Sequence, residues 1–204
     1  MERIALINKV KTLLDEISSE AMPIVDVGVE DNNPLDQMIE SLLDESAVEV
    51  LMKAPFYRLD ITTWDAEPVA NEKDPTTGYI LLPEDFLRLV YFRMDDWLRP
   101  VTELATKGDP TSLRQYNKHI RGGVARPIGV LSKTADGMII EYYSTFTKDH
   151  HVEDFQYIRK ALAEEISDQM VDALCWICAG KVLIVIGRAD QAKNAYDNAQ
   201  SLMI

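Results

Sequence analysis

The residues on which bond-breaking chemistry usually draws are scarce in this 204-residue chain, which has three histidines and two cysteines. His119, His150 and His151 lack the companion spacing of a metal or nucleophilic site. An adjacent pair such as His150-His151, falling in a turn, is read in two ways: as a solvent-exposed pair, or as a ligand for a divalent ion. Cys175 and Cys178 stand at i, i+3 inside an apolar helical run, with Trp176 and Ile177 between them and no second Cys/His pair elsewhere. That setting predicts two small buried hydrophobes rather than a redox or zinc motif.

Glycine-rich nucleotide loops are missing too, since neither GxxxxGK[ST] nor GxGxxG occurs and Gly122-Gly123 resembles a phosphate loop only superficially. The adjacent carboxylates Glu84-Asp85 and Asp95-Asp96 would point to opposite faces of a strand, a poor arrangement for a paired acid and base. The expectation is a protein that is not an enzyme, with no catalytic, cofactor-binding or metal-binding residues.

No apolar run approaches the ~20 residues needed to span a bilayer. The opening Met-Glu-Arg-Ile-Ala-Leu-Ile-Asn-Lys has no uninterrupted apolar core and no small-residue cleavage site, so neither a secretory signal nor a membrane partner is expected. Basic charge is in deficit: 21 basic against 34 acidic side chains leave a net charge of −13. Broad, non-specific binding to phosphate backbones is therefore disfavoured.

The charges are unevenly distributed. From Asp26 to Glu67 there are eleven acids against only Lys53 and Arg58, whereas Thr111 to Lys133 holds Arg114, Lys118, Arg121, Arg126 and Lys133 with no acid. Either these are ordinary solvated faces, or they supply head-to-tail complementarity between copies of the chain.

The length suits one domain, or one core with a substantial insertion. Leu6, Val10, Leu13, Leu14 and Ile17 recur at helical spacing and predict an amphipathic helix over 2–19. After a loop from Ala21 to Asn32, Asn33-Pro34 is a cap followed by a proline at the first helical position. The helix it opens runs to Ala54, with Asp36, Glu40, Asp44 and Glu45 on its polar face.

The middle of the chain changes character. Trp64 to Thr77 reads as a surface loop, Tyr79 to Leu82 as a strand, and Pro83 to Leu89 as a single helical turn. Val90 to Met94 and Trp97 to Glu103 read as a strand and its return across Asp95-Asp96, followed by a short helix around Ser112 to Ile120. Two strands, 127–132 and 138–145, are joined by Asp136-Gly137, and another spans Val152 to Ile158.

Helical spacing then returns. Ser167 is a reasonable cap for a helix that is apolar nearly all round from Met170 to Ile186, which predicts a central position. Gly187 ends it, and a last helix from about Ala189 to Leu202 turns Ala192, Ala195, Tyr196 and Ala199 to one side. The expected fold class is α+β: a bundle of about four helices formed by 1–56 and 162–204, with a β-rich insertion over 57–161 between the second and third helices.

Aromatics crowd the insertion, among them Trp97 and the neighbours Tyr91-Phe92 and Tyr142-Tyr143. If such neighbours lie in strands they point to opposite faces, so one of each pair is either covered by a helix or open to a partner. Trp97, Tyr143, Arg114, Lys118, Arg121 and Arg126 are the candidate subunit or partner contacts.

Four segments carry a resemblance. They are Leu82-Pro-Glu-Asp-Phe-Leu-Arg-Leu, Trp97-Leu-Arg-Pro-Val-Thr-Glu-Leu, Gln115-Tyr-Asn-Lys-His-Ile-Arg-Gly-Gly-Val-Ala-Arg-Pro and Val171-Asp-Ala-Leu-Cys-Trp-Ile-Cys-Ala-Gly-Lys-Val. In these the chain resembles the head-to-tail connector proteins of tailed bacteriophages, the adaptor or neck ring proteins that dock beneath the portal, and is closest to the ring proteins of crAss-like phages. None of the segments is a catalytic signature.

The resemblance implies a virion structural protein at the head-tail junction, present in the host cytoplasm during assembly. It implies a homo-oligomeric ring, typically a dodecamer, contacting the portal protein at one end and the next neck or tail protein at the other. Double-stranded DNA would pass through the lumen without sequence-specific binding. Two other readings compete: a packaged-DNA-stabilising or nucleic-acid-binding protein that uses the basic run, and a hydrolase or metalloenzyme that uses His150 and His151.

Overall fold

The computed structural model describes residues 1–18, 34–146 and 149–204. The chain is mixed α+β, with five α-helices and two sheets among the described residues. It divides into two compact units, one formed by 1–60 with 160–204 and the other by 61–159.

The first unit holds α1 (Arg3–Ser18), α2 (Pro34–Lys53), α4 (Val171–Val185) and α5 (Ala189–Met203). Helix α4 is the shared member, packing against α1, α2 and α5. Its sequence explains this, because Leu174, Cys175, Ile177, Cys178, Val182 and Leu183 leave almost no polar face and all are buried. Leu6, Val10 and Leu14 of α1 and Ile39, Leu43, Ala47 and Val50 of α2 are buried as well. Each buried Leu, Ile or Val side chain among these stabilises the fold by roughly 1.5–3 kcal/mol in transfer free energy.

The end of α4 is set by Gly187, whose φ of +80° is a left-handed conformation that costs glycine little. The Gly187 N–H donates to Ile184 O at 3.0 Å and the Arg188 N–H to Leu183 O at 2.8 Å, the two bonds of a Schellman termination. Ser167 precedes a 3-10 turn, Asp168–Met170, and its side chain makes no capping bond. The expected loop from Ala21 to Asn32 and the cap at Asn33 lie outside the described residues.

The second unit carries the strands. A three-stranded antiparallel sheet has the order β1-β8-β4, from Thr62–Thr63, Val152–Arg159 and Phe86–Met94. A five-stranded sheet has the order β2-β3-β7-β6-β5, from Pro68–Ala70, Thr77–Leu81, Gly137–Tyr143, Gly129–Thr134 and Leu104–Thr106. The short helix α3 is Pro110–Gln115. Ile80, Phe92, Met94, Trp97, Ile140, Tyr142, Phe155 and Tyr157 form the core of this unit.

Several local expectations are corrected here. Pro83 to Leu89 is no helical turn beyond one bond, from the Phe86 N–H to Pro83 O at 3.0 Å; from Phe86 onward the chain is strand β4. Long-range pairing decides this, because β4 runs antiparallel to β8 with register shifts that absorb its irregular stretches. Within the expected loop Trp64–Thr77, residues 68–70 pair with β3.

The return from Trp97 to Glu103 reduces to a single bridge, Phe92 to Val101, after which β5 joins the other sheet parallel to β6. The short helix starts earlier than expected, with Pro110 at its first position, and stops at Gln115 rather than Ile120. The β6–β7 hairpin closes on the pair Thr134 and Gly137, and Gly137 has φ +138°.

Candidate interaction site

The basic segment forms α3 and the turns that follow it, and its bases have different surroundings. Arg114, Lys118 and Arg126 are exposed. Arg121 is turned inward, with its side chain 12% exposed, and its Nη1 donates to Asp74 Oδ2 at 3.1 Å while Nη2 donates to Thr76 Oγ1 at 2.7 Å. The Thr76 hydroxyl also donates to Asp74 Oδ1 at 2.5 Å. Hydrogen bonds from Thr76 and the Arg121 guanidinium hold the Asp74 carboxyl below the usual carboxylate range. Arg121 therefore ties the basic segment to the loop before β3.

Gln115 completes that tie. It is 2% exposed, its Nε2 donates to Thr111 O at 2.9 Å, and its Oε1 accepts the Gly122 N–H at 3.0 Å. The segment from 115 to 122 is thus closed into a turn by a buried amide.

Trp97 and Tyr143, chosen as contact candidates, are both interior to the second unit. Trp97 is 2% exposed, meets Phe92 edge-on at 5.0 Å and donates from Nε1 to Ser144 O at 3.2 Å. Tyr143 is 7% exposed, with the ring of Tyr116 edge-on at 5.8 Å. Tyr142, its neighbour on the opposite face, is fully buried. Both members of the pair are covered within the unit, so neither offers a free surface.

A cavity of about 470 Å³ opens beside Tyr143, lined by Asp74, Tyr79, Tyr116, Arg121 and Glu141 among others. Glu141 accepts hydrogen bonds from Tyr143 at 2.5 Å and Ser132 at 2.7 Å. Burial by itself would raise the Glu141 carboxyl, but these bonds and Lys107 outweigh it and hold the group below its ordinary range. Burial, with Glu141 as partner, pushes the Tyr143 phenol far up. These groups are locked in their ordinary charge states and are hydrogen-bonded to one another, an arrangement that gives the wall rigidity.

His150 corrects the reading of an exposed pair. It is 4% exposed, stands edge-on to Tyr142 at 5.1 Å between centroids, and its Nε2 is 2.5 Å from the Tyr142 hydroxyl; His151 is exposed. Among the described residues, no three His, Cys, Asp or Glu side chains converge to hold a metal ion. Burial pushes the Cys175 thiol up to about 11 and the Cys178 thiol up to about 12.

The acidic face of α2 is spent largely inside its own unit. Arg3 reaches Asp44 at 3.2 Å, Glu164 at 3.1 Å and Glu40 at 3.5 Å; Lys11 reaches Asp36 at 2.9 Å; Lys181 reaches Glu45 at 2.8 Å and Glu49 at 3.3 Å. Hydrogen bonding to Arg3 holds the Asp44 carboxyl low. The charge imbalance visible in the sequence is thus reduced by cations drawn from α1 and α4.

The surface feature that sequence reasoning missed is apolar. Leu98 and Phe146 are each 73% exposed and Ile120 is 60% exposed. The Leu98 N–H donates to Val124 O at 3.0 Å and the Phe146 N–H to Asp96 Oδ2 at 2.5 Å, fixing both beside the basic turns. Ile120 and Phe146 each stand alone between polar neighbours in sequence, and Leu98 only follows Trp97, so none of them carries a periodic signal.

No helix of the described residues is long and apolar enough to cross a membrane. No protein-family model matches the chain, and no curated protein matches it in sequence.

Proposed function

We propose that this protein is a structural component of a tailed-phage virion, a head-tail connector of the neck ring type, closest to the ring proteins of crAss-like phages. In this reading a helical bundle carrying a β-rich insertion assembles as a ring, typically of twelve copies, beneath the portal. The ring continues the DNA channel, and its other end receives the next neck or tail protein. The four resembling segments support the reading.

The observation that carries it is the exposure of large apolar side chains beside exposed bases on the second unit: Leu98, Ile120 and Phe146 with Lys118 and Arg126. Apolar side chains of this size, rimmed by charge, characterise surfaces that another protein covers. Ring closure requires a heterologous contact of this sort, in which two different patches of one subunit meet.

The test is assembly in the presence of portal. Purified protein mixed with portal rings should comigrate with them on sizing chromatography and appear as added density by electron microscopy. Protein that stays monomeric at high concentration and ignores the portal would refute the proposal.

A further inference from the structure

The surface around Leu98, Ile120 and Phe146 has a counterpart of opposite charge on the same β-rich unit. Along 64–70 the residues Trp64, Asp65, Glu67, Val69 and Ala70 are exposed, Pro68 is half-buried and Ala66 is buried. Trp64 is 40% exposed, a large aromatic left open to solvent. No base occurs between Arg58 and Lys73, and among the described residues no ion pair engages Asp65 or Glu67.

Strand pairing explains why this stretch faces outward. Strand β1 ends at Thr63 and is an edge of the three-stranded sheet, and β2 begins at Pro68 and is an edge of the five-stranded sheet. The segment is nevertheless firmly anchored, because the Trp64 N–H donates to Phe155 O at 3.0 Å and Val69 pairs with Tyr79. An aromatic anchor and two carboxylates are thus held on a supported edge.

The two surfaces lie on different sides of the unit. In the three-stranded sheet β1 and β4 flank β8 at opposite edges; Trp64 directly follows β1, whereas Leu98 lies just beyond β4. In the five-stranded sheet Pro68 pairs with Ile80 and Ile80 with Ile140, while Thr77 pairs with Tyr143. Glu67 therefore enters at one end of the strands, and the chain leaves towards Phe146 at the other.

Their chemistry is complementary. Beside Leu98, Ile120 and Phe146 stand Arg99, Lys118 and Arg126, all exposed and none engaged in an ion pair among the described residues. Asp95 and Asp96 lie at the margin of this surface, and Asp96 Oδ2 already accepts the Phe146 N–H at 2.5 Å. Trp and Arg are the side chains that most often anchor protein interfaces, and opposite charges fix the register between partners. A self-facing contact of either surface would set like charges against each other. Joining one surface to the other is a heterologous contact, which repeats from copy to copy.

We infer that the occupant of the Leu98–Phe146 surface is a second copy of this chain, docked through its edge at Trp64, Asp65 and Glu67. The inference rests on the ring reading in one respect, that another protein covers the Leu98–Phe146 surface.

The experiment is charge reversal followed by sedimentation velocity of the full chain over a range of concentrations, alone and with portal rings. One variant carries Lys118→Glu with Arg126→Glu, the other Asp65→Lys with Glu67→Lys. All four positions are exposed, so circular dichroism and the thermal midpoint should match the parent. Each variant by itself should associate at least about tenfold more weakly than the parent, because like charges then meet across the contact. An equimolar mixture of the two should regain parental assembly, since each reversed surface finds its complement on the other variant.

Rescue in the mixture is the outcome that only a contact between these two surfaces produces. The inference is overturned if the mixture is not rescued, if either variant assembles as the parent does, or if the parent associates neither alone nor on portal rings. Loss of portal binding confined to the Lys118 and Arg126 variant, with the Asp65 and Glu67 variant unaffected, would make the portal the occupant instead. Portal rings that take up both variants as fully as the parent would overturn this inference and leave the connector reading standing. A parent that self-associates with the expected rescue but ignores the portal would do the reverse.

Discussion

The phenol of Tyr142 occupies the space that a side chain at Gly78 would need. A Cβ added to Gly78 would stand 2.3 Å from the Tyr142 hydroxyl and 2.2 Å from Val69 O, and the two residues are direct partners across β3 and β7. Neither obstacle can yield, since one is backbone and the other is hydrogen-bonded to buried His150. Gly78→Ala is therefore expected to destabilise the β-rich unit by about 1–3 kcal/mol through overpacking. Urea unfolding followed by tryptophan fluorescence measures this, because Trp97 lies in the same core.

The Arg121–Asp74 pair makes a prediction with a sign in pH. The folded Asp74 carboxyl titrates below its ordinary value of about 3.9. Its contribution is present above that value and is lost as pH falls through it toward the folded pKa. Asp74→Asn should be less stable than the parent near neutrality, and the gap should narrow on acidification to about pH 3. Arg121→Ala should cost about 1–2 kcal/mol, given hydrogen bonds to a partly exposed charge. A double-mutant cycle by chemical denaturation, repeated at several pH values, checks both.

Tyr143 and Phe146 should part company under mutation. Tyr143→Ser is expected to cost about 3 kcal/mol, because the ring is buried under Tyr116 and its hydroxyl serves Glu141. Phe146→Ser, at a side chain 73% exposed, should leave the unfolding midpoint nearly unchanged and weaken association with neighbouring subunits or portal. Thermal unfolding and comigration with portal rings separate the two effects.

Cys175 and Cys178 should resist labelling. Burial raises both thiols well above an ordinary cysteine, so each is held neutral in the folded state. Alkylation near pH 8 should proceed at the rate of unfolding and accelerate in denaturant. Because the folded pKa values are raised, the stability tied to these thiols is full below the ordinary cysteine value of about 8.5 and declines as pH rises beyond it. Reaction of the native protein as fast as a free thiol would contradict this.

How much was legible can be read from particular elements. The helices were the plainest, because 3.6-residue periodicity states both an element and its inward side; Leu6, Val10 and Leu14 declare α1, and the apolar run from Ala173 to Gly180 declares α4. The β6–β7 hairpin was legible for a local reason, the glycine at 137 that tolerates positive φ. The second half of strand β4, Val90 to Met94, was legible as well, but Phe86 to Leu89 was not, because Pro83-Glu84-Asp85 favours a helical turn locally and only pairing with β8, more than sixty residues away in places, overrides it.

The candidate site divides along the same line. Sequence alone determined which residues carry positive charge, where aromatics concentrate and that nucleotide-loop patterns are missing, since these are matters of composition and spacing. Tertiary structure decided which of those groups remain available. It turned Arg121 onto Asp74, buried Trp97, Tyr143 and His150, and neutralised much of the α2 acidic face with Arg3, Lys11 and Lys181. It also left Phe146 and Leu98 outside. The physical reason is that exposure and charge pairing depend on neighbours supplied by distant segments, and no local periodicity encodes them.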